Sequence, residues 1–404
     1  MFLANALPAH NATLHPADAE MLGPAGTDEV QRYLAWRGNG AGTRLVALPG
    51  LAEKLGVGML HVKDEGGRLG LGSFKALGGG YAVARLVLEA AGGKLGKTLD
   101  YPDLKSAEVR ALAKAMVFAC ATDGNHGKSV TEGAVAVGAR AVIFVHAHVS
   151  DARVAAIARY GAEIVRVDGS YDESVKEAAR VAEHEGWTIV SDTSWPGYER
   201  IPSLVMQGYT AMAREALAAM AEPPTHVFVQ IGVGGVAAAV AAHMALALKD
   251  KRPIFIAVDP ALAACMFASA KAGRAVAAPA GAPTVMAMLD CYEPSPIAWR
   301  VLERVADAFM TVEDADAIAA MNALAKPVDG DPAIVAGESG GVGLAGLMRA
   351  ASDAKARAAL TLDAASRVLV FVTEGATDPE RYRLHTGLAA DTLARSQVLA
   401  PPND

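Results

Sequence analysis

The chain has 404 residues, room for two or three domains at about 150 residues each and for a sizeable buried core. Its 37 basic and 44 acidic residues leave a net charge of −7, which argues against nucleic acid or an anionic membrane as the main partner, since both reward a basic face. Hydrophobic residues make up 52% and charged residues 20%, too apolar a balance for a disordered chain. Cysteine is sparse (Cys120, Cys265 and Cys291), so no disulfide framework is implied and a reducing cytosol fits. No Lys or Arg precedes Arg32, so the basic start of a secretory signal is missing. The Asn-Ala-Thr triplet at Asn11 is read as inert. These features predict a soluble cytoplasmic protein.

Residues 1–58 are punctuated by Pro and Gly and carry weak periodicity. A strand read at MLHVKDE then leads through glycines to Ser73, Phe74 and Lys75, with Ser73 expected as a helix N-cap. From Met116 onward short apolar runs alternate with Ala-rich amphipathic ones. The strand-like runs are 116–121, 141–145, 163–167, 187–190, 226–231, 254–258 and 367–372. Helical runs are read at 127–138, 151–160, 171–185, 203–220, 236–249 and 261–271. Continuous apolar strands alternating with helices predict an α/β fold, with twisted, mostly parallel sheets flanked by helices. Val227 to Leu248 carries no formal charge, yet glycines 232, 234 and 235 interrupt it. A strand, a glycine turn and a helix explain it better than a membrane span. The segment SDTSWPGYERIPS at 191–203 is a candidate domain crossing.

In open α/β sheets ligands sit beyond the carboxyl ends of the strands, so the loops after strands are where chemistry is sought. In the first, Lys75 falls in the opening turn of a helix, where the dipole favours the neutral amine that Schiff-base chemistry uses. The alternative is a solvated surface lysine. Gly78, Gly79 and Gly80 follow inside that helix, each costing up to ~1 kcal/mol relative to Ala, and point to close approach by a ligand or another element. The second loop, ATDGNHG at 121–127, offers Thr122, Asp123 and Asn125 at a helix start; a polar capping turn is the alternative. The third, around Gly232, Val233, Gly234 and Gly235, is a strand-to-helix anion cradle. It also satisfies G-x-G-x-x-A, and Asp259 ends the next strand, so a nicotinamide dehydrogenase is a rival. In the fourth, FVTEGATD at 371–378, Thr373 suits a heteroaromatic nitrogen or a turn cap. GESGG at 337–341 is similarly placed before a helix. No metal site is expected: His146-Ala-His148 lacks a third ligand, and three scattered cysteines do not make a zinc site.

GSFK at 72–75, TDGNHG at 122–127 and GVGG at 232–235, in that order, resemble the fold-type II pyridoxal-phosphate (PLP) enzymes: threonine and serine dehydratases, cysteine synthase and threonine synthase. The resemblance runs from about Lys63 to Asp378. It implies that Lys75 carries the cofactor and Asn125 contacts the pyridine 3-oxygen. It further implies that Gly232, Val233, Gly234 and Gly235 hold the phosphate and that Thr373 contacts the pyridine nitrogen. AVDP at 257–260 resembles a family segment in which the acid is structural. The resemblance also implies a homodimer and two domains: a large one of 1–89 plus 193–404, and a smaller mobile one of 90–192 that closes over the substrate.

Two departures sharpen the reading. Ala76-Leu77-Gly78-Gly79 follows the lysine where dehydratases carry an Ile-Arg-Gly type sequence, and Asp123 stands where they carry Ser or Ala. Both resemble the diaminopropionate ammonia-lyase family, as do SDTSWPGYERIPS, GESGGVGL and TEGATD, which brings Asp192 into the site. An acid at 123 repels a substrate carboxylate but suits a β-ammonium, so Asp123 and Asp192 could pair with 2,3-diaminopropionate. Ser73, Thr122, Asp123 and Asp192 are expected to bind the substrate. The expected reaction is α,β-elimination to pyruvate and two ammonia, with Lys75 and Asp123 as bases for opposite enantiomers. The rivals are a serine or threonine dehydratase, the dehydrogenase, and a non-catalytic PLP or amino-acid-binding protein.

Overall fold

The computed structural model describes residues 1–122, 124–328 and 330–391. Among the described residues there are eleven strands: β1 (Phe2–Ala4), β2 (Leu45–Ala47), β3 (Met59–Asp64), β4 (Val117–Ala121), β5 (Arg140–His146), β6 (Glu163–Val167), β7 (Thr188–Ile189), β8 (His226–Gln230), β9 (Ile254–Pro260), β10 (Ala308–Val312) and β11 (Arg367–Val372). The chain divides into two compact units: Met1–Pro24, Gly42–Phe74 and Met212–Asp404 form one, and Ala25–Ala41 with Lys75–Ala211 form the other. Residues 90–192, read from the sequence as the smaller domain, lie in the second unit. The helices Pro24–Trp36, Lys75–Leu95 and the first part of Arg200–Ala219 extend that unit on both sides.

The first unit is built on a seven-stranded sheet of order β1-β10-β9-β8-β11-β3-β2. The five inner strands are parallel, and β1 and β2 pair antiparallel at the two edges. The inner strands β8, β10 and β11 are almost wholly buried, which is why they read as unbroken apolar runs. Parallel pairing brings the carboxyl ends of β3, β11 and β8 side by side. The loop ending in Ser73, the Thr373 turn and the glycine loop therefore leave the same edge of the sheet, next to one another.

The segment that carries Ser73 is tied down by a buried ionic cluster. Arg68 Nε donates to Glu65 Oε2 at 2.7 Å, and Arg68 Nη2 and Lys63 Nζ donate to Glu215 Oε2 at 2.6 and 2.5 Å. Burial alone would push the Glu65 carboxyl up; Arg68 and Lys63 outweigh it and hold it below the ordinary range. Two cations face two anions, so removing any one partner would strand a buried charge at a cost of about 3–5 kcal/mol.

The second unit holds a parallel four-stranded sheet of order β6-β5-β4-β7. The chain proceeds from β4 to β5 to β6 in one direction, then returns to set β7 on the other side of β4. The order therefore reverses between β4 and β7, the place where α/β sheets open a crevice beyond their strand ends. Thr122 follows β4, and Asp192 follows β7.

The helix Lys75–Leu95 is the hub of this unit, and its triple glycine has a packing cause. A Cβ at Gly78 would lie 2.6 Å from Tyr209 Cε1 and 2.8 Å from the Val205 carbonyl oxygen. At Gly79 it would meet Ser129 Oγ at 2.7 Å, and at Gly80 the Tyr33 hydroxyl at 2.7 Å. The partner helices reciprocate: a Cβ at Gly133 would stand 2.5 Å from Gly80 Cα, and one at Gly208 2.5 Å from the Leu77 carbonyl oxygen. The close approach expected at these glycines is thus made by other helices. The helix penalty of three glycines is offset by backbone-to-backbone packing that no larger residue permits.

Candidate active site

The second unit gathers Lys75, Asp192 and His126. Lys75 is the first residue of its helix, and its Nζ forms a short ion pair with Asp192 Oδ2. Asp192 is presented by the turn after β7. Tyr198 braces that turn by donating its hydroxyl to the Ile189 carbonyl at 2.7 Å and accepting from Ser191 N at 3.1 Å. Burial works to raise the Asp192 carboxyl, but the charges of Lys75 and His126 prevail and hold it well below the usual carboxylate range. His126 is buried, bonds the Val190 carbonyl through Nε2 at 2.7 Å, and turns Nδ1 toward Asp192 Oδ2 at 3.8 Å. Burial keeps the imidazole below its ordinary pKa even though Asp192 pulls the other way.

Thr122 and Asn125 flank the same strand end. Thr122 Oγ1 accepts the Gly124 N–H at 3.2 Å. Asn125, first residue of the helix Asn125–Val137, accepts from Lys128 Nζ at 3.2 Å. Asp123 lies outside the described residues.

In the first unit the glycine loop joins β8 to the helix Gly235–Leu248. That helix starts with N–H groups that have no intrahelical acceptor and with the positive end of its dipole, the standard place for a phosphate. Gly234 sits at φ +102°, and a Cβ there would be 2.3 Å from Met266 Cε and 2.9 Å from Ala298 Cβ. Cys265 Sγ bonds the Gly232 carbonyl at 3.4 Å, and Val233 accepts the Ser295 N–H at 2.9 Å, so the loop is held from outside while its N–H groups stay at the helix mouth. Thr373 follows β11 and receives Gln230 Nε2 on its hydroxyl at 2.7 Å.

Ser73 departs from the expected N-cap role. It forms a backbone bridge with Glu374, Phe74 N donates to the Thr373 carbonyl at 2.8 Å, and the helix opens only at Lys75. The Ser73 hydroxyl is buried without a hydrogen-bond partner, an arrangement that costs about 1–3 kcal/mol unless a ligand supplies one.

Asp259 is fully buried, and its Oδ2 accepts the Phe267 N–H at 2.7 Å, organising the start of the helix Cys265–Ala272. Burial drives its carboxyl far up despite those backbone donors. An acid so enclosed cannot reach a ribose, which removes the main support for the dehydrogenase.

Two residues in these arrangements were not singled out as functional by the sequence. His126 lies in the 121–127 loop, from which the sequence drew only Thr122, Asp123 and Asn125. Gln230 was folded into an apolar run, although a lone amide at the end of HVFVQI was a visible signal.

Each unit, taken by itself, offers groups suited to pyridoxal phosphate: the first has helix-start N–H groups of the kind that hold a phosphate and the Thr373 hydroxyl, and the second has a primary amine at Lys75. The chain belongs to the family of pyridoxal-phosphate-dependent enzymes, whose profile matches residues 37–374, and its fold is that of the fold-type II members. Within that family it is similar to the diaminopropionate ammonia-lyases of Escherichia coli K12 and Salmonella typhimurium. It shares 39% identity with the first over 348 residues, covering 84% of this chain and 86% of the relative. With the second it shares 36%, covering 85% and 87%. The solved structure of the E. coli diaminopropionate ammonia-lyase with an aminoacrylate–PLP azomethine reaction intermediate superimposes with a TM-score of 0.85 at 35% identity, over 96% of both chains. The tomato threonine deaminase isoform 2 shares the fold at 18% identity and a TM-score of 0.69, over 96% of this chain and 98% of that one.

Proposed function

We propose that this chain catalyses the PLP-dependent α,β-elimination of 2,3-diaminopropionate, in both enantiomers, to pyruvate and two ammonia. The observation that carries this reading is the Asp192 carboxylate. It is held ionised beside Lys75 and already binds a primary ammonium. Once Lys75 is committed to the cofactor, the same carboxylate is suited to a second ammonium, the one on the substrate's Cβ. A β-hydroxyl gains far less from such a partner, which favours the diamine over serine or threonine.

Lys75 would hold the cofactor's aldehyde carbon, the 232–235 loop its phosphate, Asn125 its 3-oxygen and Thr373 its ring nitrogen. When bound, the cofactor draws electrons from Cα and so acidifies the Cα proton. Lys75 Nζ takes that proton from one enantiomer, and Asp123 takes it from the other. Asp192 holds the β-ammonium until it leaves as ammonia. Ser73 and Thr122 bind the substrate through their hydroxyls. Hydrolysis of the unsaturated product, one water consumed, releases pyruvate and the second ammonia. The assignment includes a cytoplasmic homodimer, consistent with an odd, sparse set of cysteines; the mass in solution tests the dimer.

The test is turnover of D- and L-diaminopropionate against D- and L-serine and L-threonine, with keto acid and ammonia both counted. Two ammonia per pyruvate from each diaminopropionate enantiomer, at a higher kcat/KM than serine, is the expected result. Faster turnover of serine or threonine would make the chain a dehydratase. Asp123→Asn should spare one enantiomer; equal loss of both would end the two-base division.

A further inference from the structure

Gln230 is the last residue of β8, directly before the glycine loop, and is 1% exposed. Its Nε2 has two hydrogens and four acceptors in reach: the two shortest contacts are the Gly340 carbonyl at 2.6 Å and Thr373 Oγ1 at 2.7 Å, with the Phe371 carbonyl at 3.1 Å and the Ser339 carbonyl at 3.4 Å sharing them. Its Oε1 accepts the Gly343 N–H at 3.2 Å. The orientation of the amide follows from its neighbours, because turning it over would set its oxygen against three carbonyl oxygens and its nitrogen against an N–H. Thr373 N in turn donates to the Gly340 carbonyl at 3.1 Å. One buried amide therefore binds the ends of β8 and β11 and the 340–343 segment that opens the helix Val342–Ser352.

The consequence is a fixed polarity. A threonine hydroxyl can accept, donate, or do both, and its hydrogen rotates to suit. Gln230 Nε2 cannot accept a hydrogen bond, and its two hydrogens go to its two shortest contacts, the Gly340 carbonyl and Thr373 Oγ1, so Thr373 accepts and the hydroxyl's own hydrogen is left for an acceptor elsewhere. A second contact agrees: a Cβ at Gly343 would meet Gln230 Oε1 at 3.0 Å and the Phe228 carbonyl oxygen at 2.6 Å, so the helix start is pressed against the amide and the amide cannot turn.

We propose that Gln230 is a positioning residue for the cofactor. Its amide fixes the Thr373 hydroxyl as a donor toward the pyridine nitrogen and locks the 340–343 segment to the same strand end. The inference rests on the reading that Thr373 faces that nitrogen. A purely structural Gln230 would affect folding but not the Thr373 contact, and a double-mutant cycle separates the two.

Wild type, Gln230→Met, Thr373→Ala and the double variant are prepared without cofactor and titrated with PLP. The dissociation constant, the visible absorption maximum and the melting temperature of the cofactor-free protein are recorded. A hydrogen bond lost to the ring in either single variant should weaken PLP binding by about tenfold. The double variant should lie within about twofold of Thr373→Ala, since coupled sites are not additive. Both single variants should displace the absorption maximum in the same direction. Multiplied losses in the double variant, or a Gln230→Met protein that melts earlier yet binds PLP within twofold of wild type, overturn the role of Gln230. Thr373→Ala binding PLP as wild type does would overturn the underlying placement of the ring, and the inference with it. Should Gln230→Met fail to fold, the same cycle with Gln230→Asn, which keeps an amide but shortens its reach, is judged by the same criteria.

Discussion

At the carboxyl ends of β8 and β11 the side chains that meet are neutral: Gln230 and Thr373, beside a loop of glycines and backbone N–H groups. At the carboxyl ends of β4 and β7 they are ionised: Lys75 and Asp192 in contact, with His126 turned toward the carboxylate. Both arrangements use the same device, loops leaving adjacent parallel strands, but they carry opposite chemistry. A neutral network can be buried fully and stays the same across pH, which suits holding a cofactor. A partly buried ion pair is sensitive to pH and to any new cation, which suits moving protons and sorting substrates.

The largest effect should come from the charged region. Lys75→Ala removes the amine and should lower pyruvate release from diaminopropionate by at least ~10⁴-fold. Borohydride should fix PLP to position 75 in wild type and to nothing in the variant. A variant that still bound PLP reversibly through the neutral region would sharpen the contrast between holding and reacting.

Asp192→Asn keeps the shape and removes the charge. Diaminopropionate kcat/KM should fall by about 10²-fold, with serine affected less. Equal losses on both substrates would mean that the carboxylate only orders Lys75. The pH dependence follows from the depressed carboxyl. Because Asp192 ionises more readily folded than unfolded, its contribution is whole above the unfolded value of ~3.9 and fades as pH falls below it. The melting temperature of the cofactor-free variant should therefore lose part of its decline below about pH 4.

Gly234→Ala probes the neutral region. A side chain at φ +102° costs about 1–3 kcal/mol, and its Cβ would be 2.9 Å from Ala298 Cβ. The urea midpoint should fall accordingly and PLP affinity should weaken by about tenfold, with no change in the pH profile. A shifted profile would blur the distinction drawn above.

The smallest effect lies away from both strand ends. Burial, aided by Glu132 and opposed by Arg37, pushes the Tyr33 phenol up to about 12. A group raised on folding stabilises below its unfolded value of ~10 and loses that contribution as pH climbs through the folded value. Tyr33→Phe should flatten the loss of stability between pH ~10 and ~12. It should leave turnover at neutral pH within about twofold.

Much of this was legible in the chain. EIVRV and RVLVFV became β6 and β11 residue for residue, and the helix at 171–185 has the predicted limits, because long apolar or amphipathic periods leave little choice. Residues 1–58 were not legible. They hold the helices Pro16–Leu22, Pro24–Trp36 and Pro49–Leu55, each opening on a proline that reads as a breaker in sequence but is pre-set for a first helical turn. AFMTV at 308–312 is β10, a buried strand between Asp307 and Glu313 that the sequence reading did not single out. At the site, motif order pointed to Lys75, Asn125, the glycine loop and Thr373. It missed Gln230 and His126, whose partners Gly340, Thr373 and Val190 are distant in sequence.

The sequence by itself determined the alternation of strand and helix, the glycine loop and the lysine that opens a helix, since these depend on neighbours within a few residues. Only the tertiary structure decided which loops meet. That choice lies in strand order: β7 returns beside β4, and β11 inserts between β8 and β3. Such pairings join segments far apart in the chain, and they are selected by the burial of whole sheet faces rather than by any local preference.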